Sequence, residues 1–259
     1  FVGGISPQLE GEEMPIEISG FKGGDRTNIE LPKVQRNFLK ALKEAGKKVV
    51  FVNCSGSAIA LTPETESCDA ILQAWYPGQE GGEAVARVLF GEYNPAGKLP
   101  ITFYKNSEQL PDFKDYSMKG RTYRYMNDAL FPFGYGLSYT SFRIGDATLS
   151  NSILKKGEKI TLKVPVSNVG KKDGTEVVQV YVKDPADTEG PLKSLKAFER
   201  VEVKAGKTAE AVITLDIKNF ELFDAATNTV CAKAGKYEVY YGNSSADKDL
   251  KKLDVSIEY

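Results

Sequence analysis

The chain has 259 residues, 41% hydrophobic and 27% charged, the balance of a globular protein with room for two domains of ordinary size. Its 34 Lys and Arg nearly cancel 35 Asp and Glu, which removes the electrostatic footprint of a nucleic-acid or anionic-membrane partner and favours a neutral substrate. Histidine is absent, so Ser-His-Asp and Cys-His mechanisms are closed to the chain acting alone, and acid–base work falls to carboxylates.

FVGGI at the start reads as a strand already under way, and the chain is therefore expected to be a piece of a longer protein whose signal peptide would lie upstream. SPQLEGEEM follows, with Glu10, Glu12 and Glu13 crowded around one glycine. Ligand sites of parallel α/β sheets gather just beyond the C-terminal ends of strands, and clustered carboxylates raise the proton affinity of the least solvated one. Read from composition alone, the same loop is an ordinary solvated one.

LPKVQRNFLKALKEAGKK then predicts a helix with Val34, Phe38, Leu42 and Ala45 near one face, Pro32 in its first turn and Gly46 at its C-terminal cap. VVFVN is a doubly buried run of the parallel-sheet kind, and AILQAWY reads as another strand. PGQEGGEAVARVLFGEYN passes from a turn into a helix with Val85, Val88 and Leu89 inward, and LPITF supplies a last short strand. This alternation predicts an α/β architecture for residues 1–104.

Residues 105–136, rich in Asp, Lys, Tyr, Pro and Gly without a period, read as an extended connection between domains. Period-two alternation follows over 137–259. It points Ile160, Leu162, Val164 and Val166 to one face, and Tyr237, Val239 and Tyr241 to another, with a turn signal at Asp173-Gly174. Several short strands over such a length indicate a β-sandwich of immunoglobulin or fibronectin type, without the Cys-Trp-Cys marker of true immunoglobulin domains.

Motifs of other chemistries fall short. GEYNPAGKL has a P-loop-like outline, but its spacing is one residue too long and Leu99 stands where Ser or Thr would hold magnesium. NCSGSA lacks the G-x-S-x-G frame of a nucleophile elbow and has no histidine to activate Ser55 or Ser57, so a tight strand-to-loop turn is the better reading. Trp75 and Tyr76 could stack on a sugar ring, although a chain's only tryptophan more often packs in a core. GRTYRY carries too few arginines for a nucleic-acid surface and reads as packing within the connection. Cys54, Cys68 and Cys231 match neither a disulfide framework nor a zinc pattern and read as small apolar side chains. No cofactor or metal is expected, and no stretch approaches the roughly 20 apolar residues of a membrane helix.

AILQAWYPGQEGGEAVARVLFGEYNPAGKLPITF, followed by FPFGYGLSYTSF, resembles the C-terminal half of the second domain of glycoside hydrolase family 3. NVGKKDGTEVVQVYVKDP and PLKSLKAFERVEVKAGKTAEAVITL are similar to the family's fibronectin type III-like domain. The resemblance covers nearly the whole chain. It implies a partial three-layer α/β sandwich followed by a fibronectin type III-like β-sandwich, taken from a retaining exo-acting β-glycosidase. In such enzymes an N-terminal (β/α)8 barrel carries an aspartate nucleophile and the α/β sandwich lends the acid/base glutamate.

Matched residue by residue, the family's acid/base loop falls on E-G-E-E and implies Glu12 as the acid/base, with Glu10 and Glu13 as alternatives. Asp25-Arg26, a pair that closely follows that glutamate in many β-glucosidases, comes here only after MPIEISGFKGG. ISPQLEGEEM is more like xylosidase and arabinosidase relatives, which favours a pentoside. The resemblance further implies a β-linked oligosaccharide substrate, a missing barrel domain as intramolecular partner, a periplasmic or secreted protein, and an isolated chain without activity. The competing reading, from the missing barrel and missing histidine, is a non-catalytic carbohydrate-binding or scaffold protein built from the same two folds.

Overall fold

The computed structural model describes residues 1–6, 19–23 and 25–259, which divide into two compact units. The first comprises 1–92, 101–121 and 128–131; the second comprises 93–100, 122–127 and 132–259. The expected class holds: an α/β unit and a fibronectin type III-like β-sandwich.

In the first unit, β1 (Val2–Gly4), β4 (Val50–Cys54) and β5 (Ala70–Gln73) form a parallel sheet in the order β1-β4-β5. The central strand β4 buries Phe51, Val52 and Asn53 in succession, as a strand covered on both faces must. Its pairing runs Val2 to Val52 on one side and Val50 to Ala70 on the other. A small hairpin, β2 (Phe21–Lys22) with β3 (Asp25–Arg26), precedes the helix α1 (Lys33–Glu44). Two further helices are α2 (Thr62–Ser67) and α3 (Gly81–Leu89). Helix α1 ends as the sequence predicts: Gly46 adopts φ +69°, and the amides of Gly46 and Lys47 close on the carbonyls of Lys43 and Leu42 in a Schellman cap.

Three expectations are corrected here. The inward residue of α1 is Leu39, fully buried, whereas Val34 is 76% and Phe38 52% exposed, Ala45 is exposed and Leu42 half-buried. The helix is turned by one position, about 100°, because its inward side makes polar contacts that periodicity does not count. Gln35 bonds the backbone of Gly4, and Arg36 bonds the buried Glu64. In α3, Val85 and Val88 are half-buried but Leu89 is exposed. LPITF forms no strand: Leu99 pairs with Gly134 and Tyr135, Phe103 makes an isolated bridge with Phe131, and Pro100 between them has no N–H to continue a ladder.

The second unit has a five-stranded sheet ordered β11 (Ser194–Val203), β10 (Gly174–Lys183), β15 (Gly235–Gly242), β16 (Leu250–Glu258), β8 (Ile153–Lys155). The opposing sheet is ordered β12 (Thr208–Asp216), β9 (Lys159–Asn168), β6 (Phe142–Ile144), with β7 (Thr148–Leu149) also on β9. A β-hairpin of β13 (Leu222–Asp224) with β14 (Thr229–Cys231) stands apart. Ile160, Leu162, Val164 and Val166 meet Val178, Val180, Val182, Tyr237, Val239 and Tyr241 in one core, so the alternating faces read from sequence are the buried ones.

The outer face of β10 is buried as well, by segments of the same unit. Tyr123, on the short helix α4 (Thr122–Tyr125), stacks on Phe133 at 4.4 Å, and both rings meet Tyr181 edge-on. Gln179 donates to the carbonyls of Gly134 and Asn243 and accepts from the Tyr181 hydroxyl, which satisfies a polar side chain that would otherwise be stranded. The three cysteines are free thiols. Among the described residues no helix is long and apolar enough to cross a membrane.

Candidate active site

Glu10, Glu12 and Glu13 lie outside the described residues. The described residues on either side of that segment are 1–6 and 19–23. That segment follows β1 in the sequence, and the C-terminal end of β1 carries Gly4 at φ +129°; a β-carbon there would lie 2.0 Å from the Cys54 carbonyl oxygen, so only glycine is accommodated. The Gln35 side-chain amide accepts from the Gly4 N–H and donates to the Gly4 carbonyl, each at 2.8 Å. The next residue, Ile5, is 1% exposed. Its N–H donates to the Cys54 carbonyl at 3.0 Å, and its carbonyl accepts from the Tyr76 hydroxyl at 2.9 Å.

The residues after the segment are tied down differently. The Gly20 carbonyl accepts from the Thr27 N–H at 2.8 Å, closing the β2–β3 hairpin, and Phe21 is buried. Arg26 donates from Nε to the Asn28 carbonyl and from Nη1 to Ser57 Oγ, just past the end of β4. A cavity of about 410 Å³ opens between this hairpin and the start of α1, its polar lining including Ser19, Arg26, Glu30, Lys33 and Arg36.

Glu30 of that lining and Glu64, which pairs with Arg36 in the same unit, are held in opposite senses. Burial raises the pKa of Glu30, but hydrogen bonds from the Ser107 side chain and backbone, with help from Arg36, outweigh it and leave the group below its usual value. Glu64 is driven up by burial, and the Arg36 guanidinium, with Nε 3.0 Å from Glu64 Oε1, offsets only part of that.

Other residues singled out by sequence have structural employment. Ser55 is fully buried and donates to the Ser57 carbonyl within a network joining Asn53 and Gln73, so it is a turn residue, as its lack of an elbow frame suggests. Trp75, just beyond β5, packs edge-on against Phe103 with centroids 6.3 Å apart, and its backbone adopts φ +56°. In the second unit, Lys98 of the P-loop-like run is bonded to Glu176 and to the Gly136 carbonyl. Sequence reasoning missed Gln35, Tyr76 as a backbone anchor and the Arg36–Glu64 pair; the one available signal was the polar residues at 35 and 36 beside the apolar stripe of α1.

Residues 1–139 match the glycosyl hydrolase family 3 C-terminal domain, and residues 176–245 the fibronectin type III-like domain. A xylan 1,4-β-xylosidase of Xylanibacter ruminicola is 65% identical over 257 residues, 99% of this chain and 30% of that protein. A periplasmic β-glucosidase of Salmonella typhimurium is 40% identical over 239 residues, 87% of this chain and 31% of that protein. Among solved structures, a β-glucosidase of Erythrobacter marinus superposes with TM-score 0.83 at 30% identity, covering 99% of this chain and 34% of that one. The β-glucosidase of Listeria innocua in complex with glucose superposes with TM-score 0.78 at 31% identity, covering 93% and 35%. The chain spans about a third of the length of each. With the family domain matched over more than half its residues, and a sandwich of the companion type after it, this chain belongs to glycoside hydrolase family 3.

Proposed function

We propose that the chain is the C-terminal part of a retaining, exo-acting β-glycosidase and that Glu12 is its acid/base. In this reading residues 1–104 form the C-terminal portion of the α/β sandwich domain, 105–136 the connection and 137–259 the supporting β-sandwich. Glu12 protonates the glycosidic oxygen while an aspartate of the barrel domain, outside this chain, attacks the anomeric carbon. It then takes a proton from the water that hydrolyses the glycosyl-enzyme, with the two carboxyl groups roughly 5 Å apart as retention demands. The observation that carries the reading is the 65% identity over 99% of the chain to a protein named xylan 1,4-β-xylosidase, which also favours a β-xyloside over a β-glucoside. The place of the acidic segment in the sequence, just after the C-terminal end of β1, where ligand sites of such sheets gather, supports it. A periplasmic or secreted location is supported by the name of the Salmonella typhimurium relative.

The test is Glu12→Ala in the full-length protein. Loss of proton donation and of base assistance to water is expected to lower turnover by about 10²–10⁴-fold for each step. Substrates with good leaving groups should still form the glycosyl-enzyme, which accumulates, and added azide should restore turnover with a glycosyl azide of retained configuration. Azide rescue at Glu10→Ala or Glu13→Ala instead would move the role to that residue; rescue at none of the three would return the loop to solvent. The 259-residue chain on its own is expected to release no nitrophenol from aryl β-xylosides or β-glucosides, and measurable turnover by it would sink the proposed division of labour.

A further inference from the structure

All four backbone polar groups of Gly4 and Ile5 are engaged: the N–H and carbonyl of Gly4 by the Gln35 amide, the Ile5 N–H by the Cys54 carbonyl, and the Ile5 carbonyl by the Tyr76 hydroxyl. Three of these four bonds come from side chains 31 and 71 residues away in sequence, where the polar groups at a strand end would ordinarily turn to water. The one delivering the hydroxyl follows a strained residue. Trp75 occupies the left-handed region at φ +56°, a conformation that persists in a bulky residue only when its surroundings over-determine it. Its ring is held against Phe103, and the turn it makes carries the neighbouring Tyr76 over to Ile5.

We propose that Tyr76 and Gln35 are positioning residues for the acid/base carboxylate, fixing the root of the segment that bears it. The proposal rests on the reading of that loop as the acid/base loop. Glu12 follows Ile5 by seven positions in the sequence, with six residues between them. A shift of the backbone at Ile5 is passed along the chain to the residues that follow it, and a displacement of about 1 Å in a catalytic group can lower a rate by on the order of 10²-fold. Gln35 from α1 and Tyr76 from beyond β5 confine that shift by clamping the backbone of Gly4 and of the buried Ile5. Neither side chain needs to touch substrate for this.

The role separates from a merely structural one by its dependence on the leaving group. In the full-length protein, Tyr76→Phe is expected to lower kcat/KM for an alkyl or methoxyphenyl β-xyloside by about 10–100-fold through kcat, with KM little changed. The dinitrophenyl β-xyloside, which needs no protonation, should change by less than about 3-fold, because its departure does not draw on general acid catalysis. The melting temperature should stay near that of the parent, and the alkaline limb of the pH profile, which reports the protonated carboxyl group, should shift. Gln35→Ala is expected to give the same selective loss. The double variant should lose little more than either single one, since both act through one segment.

Equal losses on both substrates, or no loss on either, would overturn the proposal. Glu12→Ala, Glu10→Ala and Glu13→Ala measured in the same assays keep the two readings apart. If Glu12→Ala shows the leaving-group dependence and Tyr76→Phe does not, positioning fails alone. If Glu10→Ala or Glu13→Ala shows it in place of Glu12→Ala and Tyr76→Phe follows, the assignment of Glu12 fails and positioning stands.

Discussion

Lys98 Nζ lies 2.7 Å from Glu176 Oε1, with the two side chains only 12% and 5% exposed. Lys98 also donates to the Gly136 carbonyl, and Glu176 accepts from the Val177 N–H and from Asn243 Nδ2, so the pair's remaining capacity is largely filled. Removing one partner would leave the other charge stranded. Lys98→Met or Glu176→Leu is expected to destabilise the second unit by about 3–5 kcal/mol, and the double variant to recover most of the loss. Denaturant unfolding of the three variants checks this; additive losses in the double variant would contradict it.

Gly4 and Gly46 both have positive φ but differ in what surrounds them. A β-carbon at Gly4 meets the Cys54 carbonyl at 2.0 Å, while one at Gly46 meets nothing within 4 Å. Gly46→Ala should therefore suffer only the left-handed penalty, about 1–2 kcal/mol. Gly4→Ala adds a backbone clash and should cost about 3 kcal/mol or more. Trp75, the chain's only tryptophan, gives a fluorescence probe in the same unit. Equal costs at the two positions would mean that β1 moves aside freely.

Glu64 is 1% exposed, and burial holds its pKa above the ordinary 4.5 despite Arg36. The folded protein thus binds this proton more tightly than the unfolded chain does. The contribution to stability is greatest below about pH 4.5 and declines as pH rises through the raised value. Glu64→Gln, neutral at every pH, should match the parent near pH 4. By pH 7 it should stand above the parent in melting temperature, since only the parent has to carry a buried charge there. A Gln variant that loses ground as pH rises would show that Arg36 outweighs burial.

Among the described residues β1 is an edge of its sheet; its Val2 is 70% exposed, and α1 adds the exposed Val34 and Phe38, the latter with its ring 5.6 Å from that of Phe1. An apolar edge of this kind is a template for association. Light scattering of the 259-residue chain is expected to detect self-association at tens of micromolar or above, and Val34→Lys with Phe38→Lys to reduce it. A parent chain that stays monomeric would remove the case for this face.

Where burial follows chain geometry, the sequence was sufficient. β9 reads as a strand because Ile160, Leu162, Val164 and Val166 recur every second residue, and all four are buried. Gly46 could be read as a helix cap because a left-handed residue after a helix is a local requirement. The same sequence-level reasoning rejected a P-loop at GEYNPAGKL, since phosphate cradling needs a fixed local spacing.

What lay beyond reach was every decision made by partners distant along the chain. Whether α1 turns Val34 or Leu39 inward depends on Gln35 finding Gly4 and Arg36 finding Glu64, and no periodicity within Lys33–Glu44 contains those partners. Gln179 and Tyr181 look like the solvent side of an alternating strand until Gly134, Tyr123 and Phe133 are folded over them. Tyr76 presented itself as a possible sugar platform, yet its hydroxyl anchors Ile5, 71 residues earlier. Local geometry sets the period of an element and its caps. Which face it buries, and which of its side chains reaches a backbone far away, is settled only when the tertiary fold brings donors and acceptors within 3 Å of one another.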